Sequence, residues 1–430
     1  MIEMETIERL ESQVRGYCRS FPTVFAQARG ARLTDVEGRS YVDFFSGAGA
    51  LNYGHNDPWM KQELIRYLTD DGIVHGLDMA TVAKARFLEA LEDVVFVPRG
   101  LDYRVQFPGP TGTNAVEAAL KLARKVTGRD TIISFTNAFH GMTLGSLAIT
   151  GNAFKRRGAG VPLTLGDTMP FDGYLGDDVD TLDYLDALMS DEGSGVDLPA
   201  AVILETTQAE GGINVASDPW LRRLERICRE HEILIVVDDI QVGCGRTGPF
   251  FSFERAGITP DLVCLSKSLS GYGLPLAVLL IRPDLDVWDP GEHNGTFRGH
   301  NPAFVTARAA LETYWRTDSL SQRVEANSRA IRARLESVLE STPEIDAEIR
   351  GLGMILGIAC AEPEHAGRIC REAFARGLIM ETAGPESQVA KVMPPLVVDE
   401  LTLKEGLDAL EASVRAVAAH GEPAGEASHR

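Results

Sequence analysis

The chain has 430 residues, with 42 Lys+Arg against 62 Asp+Glu and a formal net charge of −20. That balance excludes the basic face needed to displace counterions from nucleic-acid phosphates, and it disfavours an anionic membrane surface as partner. Hydrophobic residues at 44% and charged residues at 24% are ordinary globular composition, in a chain long enough for two or three domains.

The segment Met1–Arg15 is rich in Glu and has no apolar core of the kind a secretory signal needs. The longest apolar run, Leu276 to Ile281, is far short of the roughly 20 residues that cross a bilayer. The six cysteines form no CxxC pair, and Cys264 sits inside an apolar run as a small hydrophobe. These features point to a cytoplasmic protein without a disulfide framework.

In chain order, Asn114–Val126 has helical spacing, with Ala115, Ala118, Ala119, Leu122 and Val126 on one side. Thr131–Phe135 reads as a strand. Asp167–Asp197 holds ten Asp or Glu and no Lys or Arg, and reads as a solvated, partly helical excursion away from any site. Further strands are expected at Ala201–Glu205, Ile233–Asp238, Asp261–Leu265 and Leu276–Ile281, with a helix at Trp220–Glu230. Near-continuous apolar runs such as Ile233 to Val237 suit a parallel sheet covered by helices on both faces. Residues 311–350 have helical spacing up to Pro343, Gly351–Ala359 looks like one strand, and Glu400–Ala419 like a closing helix. The organisation expected is α/β: a large parallel-sheet domain over 55–310, and a small α+β domain from 1–54 plus 311–430. The tail 420–430 reads as disordered.

Four features carry chemistry. Lys267 follows an apolar strand, at the carboxyl end where open α/β sheets bind ligands, and desolvation there would make it a Schiff-base nucleophile. Taken alone, it reads more readily as a surface turn lysine. Asp238 and Asp239 end a second buried strand, where a carboxylate needs a cationic or donor partner; a pyridinium nitrogen, a helix cap or a salt bridge would serve. Pro110 to Asn114 precedes a helix whose free amides could hold a phosphate, or simply be capped by Thr113 or Asn114. Phe139-His140-Gly141 could lay a ring on a planar cofactor, or be a core Phe beside a satisfied His. In that order, a phosphate turn, a stacking ring, a strand-end Asp and a strand-end Lys meet the needs of pyridoxal 5′-phosphate (PLP).

The order and spacing resemble the class III (omega) aminotransferases, from about Phe21 to Leu396. The motifs are Thr111-Gly112-Thr113, Phe139-His140-Gly141, Glu205 to Gly212, Asp238 to Gly248, Lys267, and Gly295 to Pro302. The resemblance implies the aspartate aminotransferase-like fold type I and a set of roles. Lys267 is the Schiff-base lysine and proton shuttle, and Asp238 keeps the ring nitrogen protonated. Gln241 bonds the ring hydroxyl, Ile240 and Phe139 sandwich the ring, His140 belongs to the ring motif, and Gly112 and Thr113 hold the phosphate. Thr296 would reach the phosphate of a neighbouring subunit, making the active unit a homodimer or a dimer of dimers.

Within that family, Cys18 to Phe25, Gly47 to Asn56, Asp71 to Met79 and Arg99 to Glu117 are similar to the diaminobutyrate–2-oxoglutarate transaminases of ectoine synthesis. This implies glutamate as amine donor and L-aspartate 4-semialdehyde as acceptor, with L-2,4-diaminobutyrate and 2-oxoglutarate as products. Other omega-aminotransferases (4-aminobutyrate, ornithine or acetylornithine type) and an aminomutase are the alternatives. Two departures bear on the choice. Met142 stands where 4-aminobutyrate and ornithine enzymes carry a carboxylate-binding Arg, and a thioether cannot grip a carboxylate. The Arg expected to pair with Glu210 aligns with Lys391, which offers a point charge and no bidentate fork. Arg19 and Arg298 are candidates for the missing carboxylate partner.

Overall fold

A computed structural model describes residues 2–419, so the expected disordered tail lies outside the described residues. Strands β1 (Phe25–Arg29), β2 (Arg32–Asp35) and β3 (Ser40–Asp43) form an antiparallel meander near the N-terminus. The central sheet follows, built from β4 (Arg104–Gln106), β5 (Ile132–Phe135), β6 (Gly166–Met169), β7 (Ala201–Leu204), β8 (Leu234–Asp238), β9 (Leu262–Leu265) and β10 (Val278–Ile281). Their spatial order is β4-β10-β9-β8-β7-β5-β6. Every residue of β5, β7, β8, β9 and β10 is buried, which is why these strands read as continuous apolar runs rather than alternating ones.

The sheet is mixed, not wholly parallel. β10 runs antiparallel to both β9 and β4, because β9 and β10 are joined without a crossover helix. The long helix α1 (Gly112–Thr127) packs on this sheet through Ala115, Ala118, Ala119 and Leu122 and stops at Gly128, whose φ of +68° is left-handed.

The acidic stretch is not an excursion. It contributes edge strand β6 and helix α2 (Leu182–Ser190), which docks on α3 (Asp218–Glu230). Leu182, Leu185 and Met189 are buried there, the Trp220 indole donates to Thr181 at 2.9 Å, and Arg223 gathers Asp180, Asp183 and Asp186. Composition registered the charge and missed the apolar stripe beneath it.

Beyond the central sheet lie α4 (Asn301–Tyr314) and α5 (Ser319–Glu340), then β11 (Ala347–Leu352) and β12 (Ile355–Cys360). The glycine-rich run expected as one strand is therefore a hairpin, turning at Gly353 with φ +60°. A Cβ at Gly353 would lie 2.4 Å from the Arg246 carbonyl, so the turn needs glycine for approach as well as for conformation. After α6 (Pro363–Ala375), β13 (Leu378–Ile379) pairs with β3, and β14 (Glu381–Ala383) and β15 (Val389–Val392) complete an antiparallel sheet of order β11-β12-β15-β14. Helix α7 (Glu400–Ala419) closes the described chain.

Arg246 ties these parts together. Fully buried, it donates to the carbonyls of Met354 (2.9 Å) and Pro394 (2.6 Å) and to the side chain of Asn52. Burial lowers its pKa to about 9, with Asp43 opposing. Pro394 lies just beyond β15, so the position of the C-terminal sheet is fixed relative to the central one.

Candidate active site

The carboxyl ends of β8 and β9 and the N-terminus of α1 converge on a cavity of about 170 Å³. Its walls include Gly112, Thr113, Phe139, His140, Asp238, Ile240, Gln241 and Lys267, together with Gly141 and Glu205. Residues spread over more than 150 positions of sequence are thus brought to one wall because parallel strands present their carboxyl ends on one side.

At the phosphate turn, Asn114 Oδ1 accepts from the Thr111 amide (3.1 Å) and the Thr111 hydroxyl (2.8 Å), closing the turn on itself. The amides of Gly112 and Thr113, first in α1, have no preceding helical carbonyl and present the positive end of the helix. Thr113 Oγ1 is engaged by Thr143 (2.7 Å) and Ser146 (2.8 Å). A Cβ on Gly112 would meet Ile240 Cδ1 at 2.8 Å, so glycine keeps open a slot beside the Ile240 face.

On β8, Asp238 Oδ1 accepts from the Ile240 amide (3.2 Å) and Oδ2 accepts from His140 Nδ1 (2.8 Å). His140 is almost wholly buried, and its Nε2 has no partner among the described residues. Phe139 carries Lys155 Nζ over its ring at 4.1 Å and donates its amide to Glu205 Oε1 at 2.8 Å. Burial, reinforced by Asp238, raises Glu205 well above the ordinary carboxylate range. The neighbouring Asp239 is pushed up to about 7 by burial, while Ser252 opposes the shift.

Lys267 occupies a tight turn with φ +47°, a left-handed conformation that costs a non-glycine residue about 1 kcal/mol and is commonest at functional sites. Ser268 anchors that turn: its hydroxyl donates to the Gly49 carbonyl (2.6 Å) and accepts from the Asn52 amide (3.1 Å). Lys267 makes no ion pair among the described residues, and burial lowers its pKa, with Glu210 opposing.

From the cavity wall, Gln241 Nε2 donates to the Ala48 carbonyl (2.8 Å) and to Glu210 Oε1 (3.1 Å). Lys391, fully buried on β15, donates to the same Glu210 oxygen at 2.8 Å and lies 2.7 Å from Glu381 Oε1. Burial works to raise Glu210, but Lys391 and then Lys267 outweigh it and hold the carboxyl at about 2. Burial likewise opposes charge on Lys391, yet Glu210 and Glu381 lift it above the ordinary lysine value. Glu381 itself goes up, because burial exceeds the pull of Lys391.

Three expected residues lie elsewhere. Thr296 is exposed, its carbonyl bonded to His75 at 2.8 Å, and it does not line this cavity. Arg298 donates to Asn294 at 3.0 Å. Arg19 donates to Gln13 and lines a separate cavity of about 750 Å³ whose wall includes Glu381. Neither arginine reaches the walls of the first cavity. Two residues escaped assignment: Glu205, present in a motif without a role, and Glu381, whose signal was a lone carboxylate in the apolar run Leu378 to Ala383.

The arrangement suits a flat heterocycle bearing an aldehyde, a basic ring nitrogen and a phosphate. Lys267 offers an amine, Asp238 a carboxylate, Ile240 and Phe139 apolar faces, and α1 its free amides.

The aminotransferase class-III family model matches residues 15–414. A diaminobutyrate–2-oxoglutarate transaminase of Halalkalibacterium halodurans is 58% identical over 96% of this chain and 97% of its own length. One from Nocardia farcinica is 58% identical over 97% and 96%, and one from Bordetella parapertussis 56% over 99% and 98%. Among solved structures, ornithine aminotransferase from Toxoplasma gondii superposes with a TM-score of 0.83 at 25% identity, covering 96% of this chain and 94% of that one; its crystals held PLP in part at the active site. A transaminase from a marine Virgibacillus gives 0.87 at 18% identity over 97% and 99%, a likeness of fold. With the cavity's residues and this match over nearly the whole chain, the protein belongs to the class III aminotransferases, PLP-dependent enzymes of fold type I.

Proposed function

We propose that this enzyme moves the amino group of L-glutamate to L-aspartate 4-semialdehyde, giving L-2,4-diaminobutyrate and 2-oxoglutarate. The observation that carries the reading is the Glu210–Lys391 ion pair at the cavity's edge, in a chain 54–58% identical to diaminobutyrate–2-oxoglutarate transaminases. The exposed, uncharged Met142 stands where a carboxylate-binding Arg would favour ornithine or 4-aminobutyrate.

PLP, held by Lys267, Asp238, Ile240, Phe139, Gly112 and Thr113, supplies an electron sink for charge left on a substrate carbon. Asp238 keeps the ring nitrogen's proton in place by ion pairing, and His140 Nδ1 fixes the orientation of that carboxylate. Lys267 first provides the amine that holds the cofactor. Once released, its Nζ would take the proton from the substrate carbon bearing nitrogen and deliver it to the cofactor carbon on the other side of that nitrogen. Its lowered pKa makes that amine available nearer neutrality.

Lys391 and Glu210 sort the two substrates. With the semialdehyde end bound, Glu210 neutralises Lys391 and the pocket tolerates an uncharged group. When glutamate arrives, its α-carboxylate takes Lys391 and Glu210 withdraws. Residues 55–310 form the cofactor-binding domain, and 2–54 with 311–419 the smaller domain that carries Lys391. The exposed Thr296 and the 70%-exposed Phe297 suit a second copy of the chain, with Thr296 reaching the partner's phosphate. Among the described residues no helix is long and apolar enough to cross a membrane. The enzyme works in the cytoplasm, at the first step of ectoine synthesis.

The test is an assay of purified protein with glutamate and a panel of semialdehydes, following 2-oxoglutarate. Aspartate 4-semialdehyde should give the highest kcat/KM; preference for glutamate or succinate semialdehyde would reject the assignment.

A further inference from the structure

Lys391 has two carboxylate partners, and the fold holds them differently. Glu381 is fixed: it lies on β14 directly opposite Lys391 in the antiparallel register of β14 and β15. Both residues are buried, and their contact of 2.7 Å follows from cross-strand spacing. Glu210 sits instead in the tight turn between the short strands Thr207–Gln208 and Asn214–Val215, its backbone carbonyl bonded by the Gly384 amide at 2.9 Å. Its side chain can turn away without disturbing a ladder.

Lys391 Nζ donates to Glu210 Oε1 at 2.8 Å and stands 2.7 Å from Glu381 Oε1, within reach of another of its three N–H groups. One ammonium is therefore shared between the turn carboxylate and the strand carboxylate. A buried one-to-one Lys–Glu pair would be hard to open, because each charge would be stranded without solvent.

We infer that Glu381 is a positioning residue that sets substrate specificity: it keeps Lys391 in place and weakens the Glu210–Lys391 bond enough for a substrate carboxylate to displace Glu210. The exchange then conserves charge. Lys391 faces two carboxylates before it and two after it, Glu381 being common to both states. This rests on the proposed sorting of substrates by Glu210 and Lys391.

The test uses PLP-loaded enzyme and the unreactive dicarboxylate glutarate, with affinity measured by calorimetry. Glu381→Gln, of nearly the same shape, should weaken glutarate binding about tenfold and raise the KM for glutamate similarly, while the KM for L-2,4-diaminobutyrate moves by less than about twofold. Glu381→Asp, which keeps the charge, should recover most of the loss and provides a second variant. Unchanged glutarate affinity in Glu381→Gln, or an equal rise in both KM values, overturns the inference. Glu210→Gln separates the two levels, since removal of the competing carboxylate should tighten glutarate. If it does so while Glu381→Gln changes nothing, only the role of Glu381 falls. If Glu210→Gln leaves glutarate unchanged, the sorting mechanism falls and takes the inference with it.

Discussion

At the end of β9, Lys267 occupies a left-handed turn with no ion pair among the described residues, and burial pulls its pKa down. On β15, Lys391 is more deeply buried, yet two carboxylates lie within 2.8 Å and its pKa goes up. The same side chain is thus favoured as a neutral amine, suited to the proposed nucleophile, in the first place and as a cation in the second. Burial alone therefore does not decide a lysine's chemistry; the number of carboxylates it meets does. Arg246 shows a third outcome. Buried and bonded to carbonyls and an amide instead of carboxylates, it serves the architecture.

The largest break in this contrast is Lys267→Ala, which removes the proposed nucleophile and proton carrier. Turnover should fall by about 1,000-fold or more, and the absorbance of the cofactor–lysine linkage should disappear, as read by steady-state assay and spectrum. Asp238→Asn leaves the shape and removes the charge proposed to hold the ring proton. A loss of about 100-fold in kcat is expected, with cofactor still bound. Gly112→Ala places a methyl 2.8 Å from Ile240 Cδ1, so the slot narrows and PLP affinity should drop by about tenfold on dialysis against fixed cofactor concentrations.

The smallest effect is on stability at acid pH. Glu210, held at about 2 against an ordinary 4.5, contributes stability that is complete above 4.5 and is lost as pH falls towards 2. Urea midpoints of the wild type should decline across that window, and Glu210→Gln should decline less. Identical slopes would show that Lys391 does not hold this carboxyl.

How much of this was readable beforehand depended on whether a residue's role was local or set by register. Lys267, Asp238 and the turn at Gly112 follow or precede recognisable strands and helices, so a reader of the chain reaches them by strand-end position. The buried strands were legible because burial on both faces writes itself as an apolar run. Glu381 was not legible, because the role proposed for it comes from pairing with Lys391 between two strands only three and four residues long. Nor was the hairpin at Gly353, where the one glycine needed for a close approach to Arg246 resembles glycines within a strand. The acidic stretch misled for the opposite reason: its charges face outward and concealed the Leu182, Leu185 and Met189 stripe that anchors it.

The division of labour between the two lysines is tested most directly by measuring the two half-reactions separately, by stopped-flow absorbance, in Lys267→Ala and Lys391→Ala. Lys267→Ala should abolish both the glutamate and the diaminobutyrate half-reaction alike. Lys391→Ala should impair the glutamate half-reaction at least about tenfold more than the other. An unchanged glutamate half-reaction in Lys391→Ala, or an equal loss in both, would contradict the account.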